Sequence, residues 1–169
     1  DTFSSRGLGD VYKRQMFSTV PFYQKAQKAG INPIIGCETY VAVESRHNKK
    51  PQAGGGWGNN HLILLVQNQI GYKNLMKLVT AGYLEGFYYR PRIDMELLKE
   101  HSDGLVCLSG CLKGEIPEKM LNGDYEGARD AALRFSEIFS DRFYLEVQNH
   151  GIPEDCLLYT SPSPRDEKV

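Results

Sequence analysis

Hydrophobic residues recur along this chain in two rhythms, and the switches between them mark its elements. Phe17, Val20, Tyr23, Ala26 and Ala29 return at helical spacing, with Ser18 or Thr19 able to cap the start, Pro21 suited to a first turn and Gly30 as a stop. Residues 33–43 then read Pro-Ile-Ile-Gly-Cys-Glu-Thr-Tyr-Val-Ala-Val, whose β-branched and aromatic positions predict a strand. Residues 45–60, rich in Gly, Asn and Lys, have turn composition and predict a mobile surface loop. His61-Leu-Ile-Leu-Leu-Val-Gln predicts a second strand, apolar on both faces as expected of one covered by helices.

Asn68 can cap the next helix, which carries the stripe Tyr72, Leu75, Met76, Val79 and Tyr83. An aromatic and basic loop follows over residues 85–93. Asp94 caps a short helix through Leu97 and Leu98, and residues 104–109 predict a third strand. Residues 115–121 predict another helix, and Asp124 opens a longer one with Ala128, Ala131, Ala132, Phe135, Ile138 and Phe139 on one side. Residues 142–148 predict a fourth strand. Strands alternating with helices imply an α/β fold, a largely parallel sheet with covering helices, and chemistry at the carboxyl ends of the strands.

One position breaks the pattern. Glu38 is a lone carboxylate inside an apolar strand, a setting that disfavours charge, so it needs a cation, an arginine or solvent beside it. His61, Cys111 and His150 also fall at or near predicted strand ends. Carboxylate, imidazole and thiolate are the usual ligands of zinc, and carboxylate also suits manganese or magnesium. No two of these residues are close enough in sequence to form a local chelating motif. Cys107 lies within an apolar strand and reads as a small core residue, and His47 and His101 read as solvated. Tyr88 and Tyr89 beside Arg90 and Arg92 form a candidate nucleic-acid contact, aromatic rings for bases and guanidinium for phosphate. The alternative is a core-anchored loop with two exposed arginines.

Composition narrows the classes. The 169 residues fit one domain, 41% hydrophobic and 24% charged, as in ordinary globular proteins. Twenty basic against 21 acidic side chains leave no global field to draw the chain onto DNA or an anionic membrane, so any nucleic-acid contact is local. The longest apolar run, residues 62–66, is too short to span a bilayer, and four cysteines make no dense disulfide framework; the cytoplasm is the expected compartment. Neither a phosphate-binding glycine loop nor a nucleophile elbow is present.

Both ends read as foreign. Asp10 to Gln15 can be encoded by GATGTGTATAAGAGACAG, whose reverse complement, read one base out of frame, gives Cys-Leu-Leu-Tyr-Thr-Ser, the sequence of Cys156 to Ser161. Residues 1–15 and 156–169 are therefore expected to be read-through of an inverted adapter-like element, leaving 16–155 as the natural segment.

Within that segment, Phe22-Tyr23-Gln24-Lys25-Ala26, Pro33-Ile34-Ile35-Gly36-Cys37-Glu38, His61-Leu62-Ile63-Leu64-Leu65, Gly71-Tyr72-Lys73-Asn74-Leu75-Met76, Gly82-Tyr83-Leu84-Glu85-Gly86-Phe87-Tyr88-Tyr89, Leu108-Ser109-Gly110-Cys111 and Phe143-Tyr144-Leu145-Glu146 occur in an order and spacing that closely resembles the polymerase-and-histidinol-phosphatase (PHP) domain at the N-terminus of bacterial DNA polymerase III alpha subunits. The resemblance implies a distorted (β/α) barrel, incomplete here, with a metal cluster fed from several strand ends. In it Glu38, His61 and Cys111 match ligands of divalent ions, zinc, manganese or magnesium, while His150 matches none. The family's opening His-x-His strand, the acidic ligand after it and its Asp-His-Gly turn would precede Met16, and the closing Asp-x-His pair would follow Asp155. The resemblance further implies DNA and other replicase subunits as partners of the parent protein, a polymerase with metal-dependent 3′–5′ exonuclease proofreading, or with this domain as structural support. A chain limited to these residues is expected neither to polymerise nor to cleave DNA. The alternatives are a stand-alone phosphoesterase of the histidinol-phosphatase type and a metal-free structural module.

Overall fold

The computed structural model describes residues 15–50, 58–148 and 151, so His150 and nearly all of both foreign-reading ends lie outside the described residues. Helix α1, Thr19–Lys28, starts without a side-chain cap on Ser18, and only its Ala26 is buried. Gly30 ends it at φ +69°, a left-handed turn that glycine enters without a Cβ clash. Strand β1, Gly36–Ala42, is followed by β2, Asn59–Val66, which starts two residues earlier than the predicted start at His61. Helix α2, Gln69–Leu84, is capped by the Asn68 side chain, which accepts the Ile70 and Gly71 N–H groups at 3.0 Å each.

The aromatic loop holds a short strand that the sequence pattern does not announce, β3, Arg92–Ile93. Next come α3, Met95–Glu100, capped by Asp94, then β4, Leu105–Leu108, α4, Glu115–Leu121, and α5, Tyr125–Phe139, capped by Asp124. A 3-10 turn leads to β5, only Phe143–Tyr144. The predicted fourth strand is thus cut to two residues, because β5 has a parallel partner only where Cys107 and Leu108 face it.

These five strands form one open sheet in the order β3-β1-β2-β4-β5. β1 pairs parallel with β3 and β4 parallel with β5, while β2 runs antiparallel to both β1 and β4. Four strands therefore share one direction, as expected of the partial α/β barrel, and β2 alone is reversed. That reversal has a consequence for chemistry: the first residues of β2 lie at the same rim as the carboxyl ends of β1 and β4.

One face of the sheet is closed by helices. Cys37 and Val41 of β1, Leu62 and Leu64 of β2, and Leu105 and Cys107 of β4 pack with Leu75 and Leu78 of α2, Leu98 of α3, and Ala131, Phe135 and Phe139 of α5. The alternate residues, Glu38, Tyr40, His61, Ile63, Leu65, Val106 and Leu108, occupy the other face, because side chains alternate along a strand and paired residues share a side. Ile63, Leu65, Val106 and Leu108 are half-buried there. Among the described residues, helices thus cover β2 on one face only, not on both.

Two contacts lock this frame. At the start of α2 a Cβ on Gly71 would stand 1.8 Å from the Gly104 carbonyl oxygen, so helix and strand meet backbone to backbone. The segment after β1 is pinned to α3: Arg46 Nη1 lies 3.0 Å from Asp94 Oδ1, its backbone N–H donates to Asp94 Oδ2, and Nε reaches Glu85 at 2.7 Å.

Candidate metal centre

Glu38, His61 and Cys111, far apart along the chain, meet at one rim of the sheet. Glu38 faces Ile63 across the β1–β2 ladder and His61 faces Tyr40, so the two functional side chains are diagonal neighbours on one face. His61 Nδ1 lies 2.6 Å from Glu38 Oε1. Cys111 arrives from the loop after β4, its Sγ 3.6 Å from the same nitrogen.

Local backbone chemistry places the thiol. Gly110 turns at φ +81° directly beside β2, where a Cβ would approach the His61 carbonyl oxygen to 2.9 Å. The loop is then tied down by the His61 N–H donating to the Lys113 carbonyl at 2.9 Å and the Gly114 N–H donating to the Cys111 carbonyl at 2.7 Å. A side chain at Gly110 would push this loop, and Cys111 with it, off the strand.

The three groups are partly covered, with side-chain exposures of 17% for His61 and 23% for Glu38. Burial favours the neutral imidazole, yet the Cys111 and Glu38 side chains outweigh it and hold the His61 pKa above its ordinary value. The Cys111 thiol is pulled down, first by the His61 hydrogen bond, against burial, with help from the Lys113 backbone. A polarised thiol, an imidazole and a carboxylate form the donor set that zinc and related ions accept. Among the described residues no three His, Cys, Asp or Glu side chains stand in a metal-holding arrangement; Glu38 and Cys111 close directly on His61 instead. In donor type the cluster fits a divalent ion.

The sequence-predicted nucleic-acid residues divide. Tyr89 is outward-facing at 65% exposure. Tyr88 is half-buried against the Arg92 guanidinium, 5.1 Å from its ring centroid. Arg92 is only 3% exposed, and it donates to the carbonyls of Gly86, Arg46 and Asn48, so it fastens the loop from inside and offers no phosphate contact. Arg90 also turns inward, donating from Nη1 to the Tyr40 hydroxyl. Tyr40 carried no signal of its own in the sequence, although its place two residues after Glu38 in a strand puts it on the same face.

Among the remaining candidates, Cys107 is fully buried, and burial pushes its thiol far up, as expected of a core residue. His47 is exposed, whereas His101 is largely covered at the end of α3, contrary to the expectation that both are solvated.

Comparison with known proteins agrees with this architecture. The family described as "PHP domain" matches residues 8–150, beginning inside the stretch 1–15 that reads as foreign. The chain is 50% identical over 143 residues to DNA polymerase III subunit alpha of Borreliella burgdorferi, covering 85% of this chain and 12% of that protein. It is 49% identical over 139 residues to the protein of the same name from Thermus aquaticus, covering 82% and 11%. For Treponema pallidum the figures are 43% over 141 residues, covering 83% and 12%. The chain therefore spans 11 to 12% of the length of these relatives. With a match that runs over most of its length and takes in Glu38, His61 and Cys111, the chain belongs to the PHP domain family.

Proposed function

We propose that this chain is part of the PHP domain of a bacterial replicative DNA polymerase, DNA polymerase III subunit alpha, and that Glu38, His61 and Cys111 are ligands of its divalent metal site. The observation that carries the reading is the convergence of a carboxylate oxygen and a thiol sulfur on one imidazole nitrogen, at 2.6 and 3.6 Å, at the strand-end rim of an α/β sheet.

Zinc, manganese or magnesium would be held by Glu38 Oε1, His61 Nδ1 and Cys111 Sγ. When bound, such ions supply an activated water and stabilise charge on a phosphodiester oxygen, the chemistry of 3′–5′ exonuclease proofreading. The chain's own residues do the rest: the His61 hydrogen bond holds the Cys111 thiol below its ordinary pKa, and all three donors are partly covered. The exposed Tyr89 ring provides a stacking surface for a base of the DNA strand. Replicase subunits and primer-template DNA are partners of the parent protein.

Calorimetric titration of the metal-free chain with zinc, beside Glu38→Gln, tests the reading. Stoichiometric binding that the variant weakens at least tenfold supports it; no binding, or equal binding by both chains, overturns the ligand assignment. With three donors, the chain alone is expected to release no nucleotide from labelled single-stranded DNA, and metal-dependent release abolished by Glu38→Gln would contradict that expectation.

A further inference from the structure

We infer that Arg90 is a positioning residue of the Glu38–His61–Cys111 centre, acting through Tyr40 to fix the plane of the His61 imidazole. Three observations converge. The Tyr40 ring is buried at 2% exposure and meets the His61 ring edge to face, centroids 5.0 Å apart and planes at 81°. Arg90 holds that ring in turn, donating to its hydroxyl with the guanidinium carbon 4.9 Å from its centroid. The backbone is bent to allow this: Tyr89 sits at φ +57°, costly for a residue with a Cβ, and the Tyr88 N–H closes the turn on the Arg90 carbonyl at 3.0 Å. Pro91 keeps Arg90 extended, and buried Arg92 anchors the base of the loop, so the guanidinium is presented from a rigid mount.

An imidazole ligand needs one ring orientation, and supporting contacts of this kind tune metal affinity. Glu38 and Cys111 fix only where Nδ1 points. A second support, across the ring plane, stops the imidazole from rocking about that nitrogen. Arg90 and Tyr40 provide it from outside the ligand set.

The geometry does not depend on a metal, whereas its effect on metal affinity rests on the proposed function; two measurements separate them. In the metal-free chain, the Tyr40 ring at 5.0 Å is expected to shift the His61 ring Cδ2–Hδ2 resonance. That resonance is expected to move and broaden in Arg90→Ala, to move partly in Tyr40→Phe, and to return in Arg90→Lys, while the methyl resonances of Leu64 and Leu75 stay in place. Cobalt binding, followed by its thiolate charge-transfer band, should weaken about tenfold to a hundredfold in Arg90→Ala and recover in Arg90→Lys. An unmoved His61 resonance in both Arg90→Ala and Tyr40→Phe overturns the inference. So does cobalt binding by Arg90→Ala with unchanged affinity and spectrum. Should the unsubstituted chain bind no cobalt, the metal assignment falls and the His61 resonance alone decides the positioning role.

Discussion

Nδ1 of His61 stands 2.6 Å from Oε1 of Glu38, although neither residue is the other's partner in the ladder. The contact is diagonal, and it exists because β2 runs against β1: in an antiparallel pair the diagonal neighbours on one face come within reach of long side chains. A Glu that looked misplaced in an apolar strand is thereby matched with an imidazole.

His61→Ala should abolish zinc binding almost entirely, lowering affinity by more than about 100-fold, since loss of a ligand exceeds the loss from a supporting contact. Because His61 is only partly buried, the variant should keep its fold. Calorimetry for binding and far-ultraviolet circular dichroism for structure check the two halves.

Cys111 should be the fastest to alkylate of the described cysteines. Its thiol is depressed by His61 and half-exposed, whereas Cys37 and Cys107 are buried. Iodoacetamide followed by peptide mapping reads the order, and His61→Ala should slow the Cys111 reaction. Labelling of Cys107 ahead of Cys111 would contradict the placement.

Acid should unfold the chain partly through Asp94. Burial alone would raise this carboxyl, but the Arg46 and Leu97 N–H groups and the Arg46 guanidinium outweigh it, so its pKa in the fold lies below the ordinary value. A depressed carboxyl contributes its full stability above its unfolded pKa of about 4 and loses it as pH falls through the lower folded value. Urea midpoints measured from pH 6 down to pH 2 should therefore fall, and Asp94→Asn should flatten that slope while lowering stability at pH 7 by about 1–3 kcal/mol.

Gly71→Ala should destabilise by about 1–3 kcal/mol or more, the usual cost of forcing extra volume into a tight contact, because the methyl meets the Gly104 carbonyl oxygen at 1.8 Å. Leu64→Ala, in the middle of the sheet and fully buried, should cost about 2–5 kcal/mol. Chemical denaturation of both variants gives the comparison, and a Gly71→Ala chain as stable as the parent would show that α2 can shift away from β4.

Local chemistry was legible along the chain because its causes are local. Asn68, Asp94 and Asp124 each cap the helix they announce, since a cap needs only its own next three N–H groups. The apolar stripe of α5 turns inward as its spacing requires, whereas α2 is rotated from its predicted stripe: it buries Gly71, Asn74, Leu75, Leu78 and Gly82 and leaves Met76 exposed. Strands were harder: β3 exists only because Tyr40 and Val41 lie beside Arg92 and Ile93, and the long predicted run at 142–148 pairs at just two positions. Arg92 shows the same limit at a side chain. An arginine beside tyrosines looks like a phosphate contact, and the carbonyls of Arg46 and Asn48 that enclose it are invisible until the chain folds.

The sequence by itself determined the α/β alternation, the helix caps and the family likeness, and it singled out Glu38, His61 and Cys111 as candidates. Tertiary structure alone decided that β2 is reversed, that Tyr40 meets the His61 ring while Arg90 turns onto Tyr40, and that Arg92 is an internal fastener. The reason is physical: spacing along a chain encodes periodicity and hydrogen bonds a few residues long, whereas strand direction and side-chain company are set by which surfaces must be buried together.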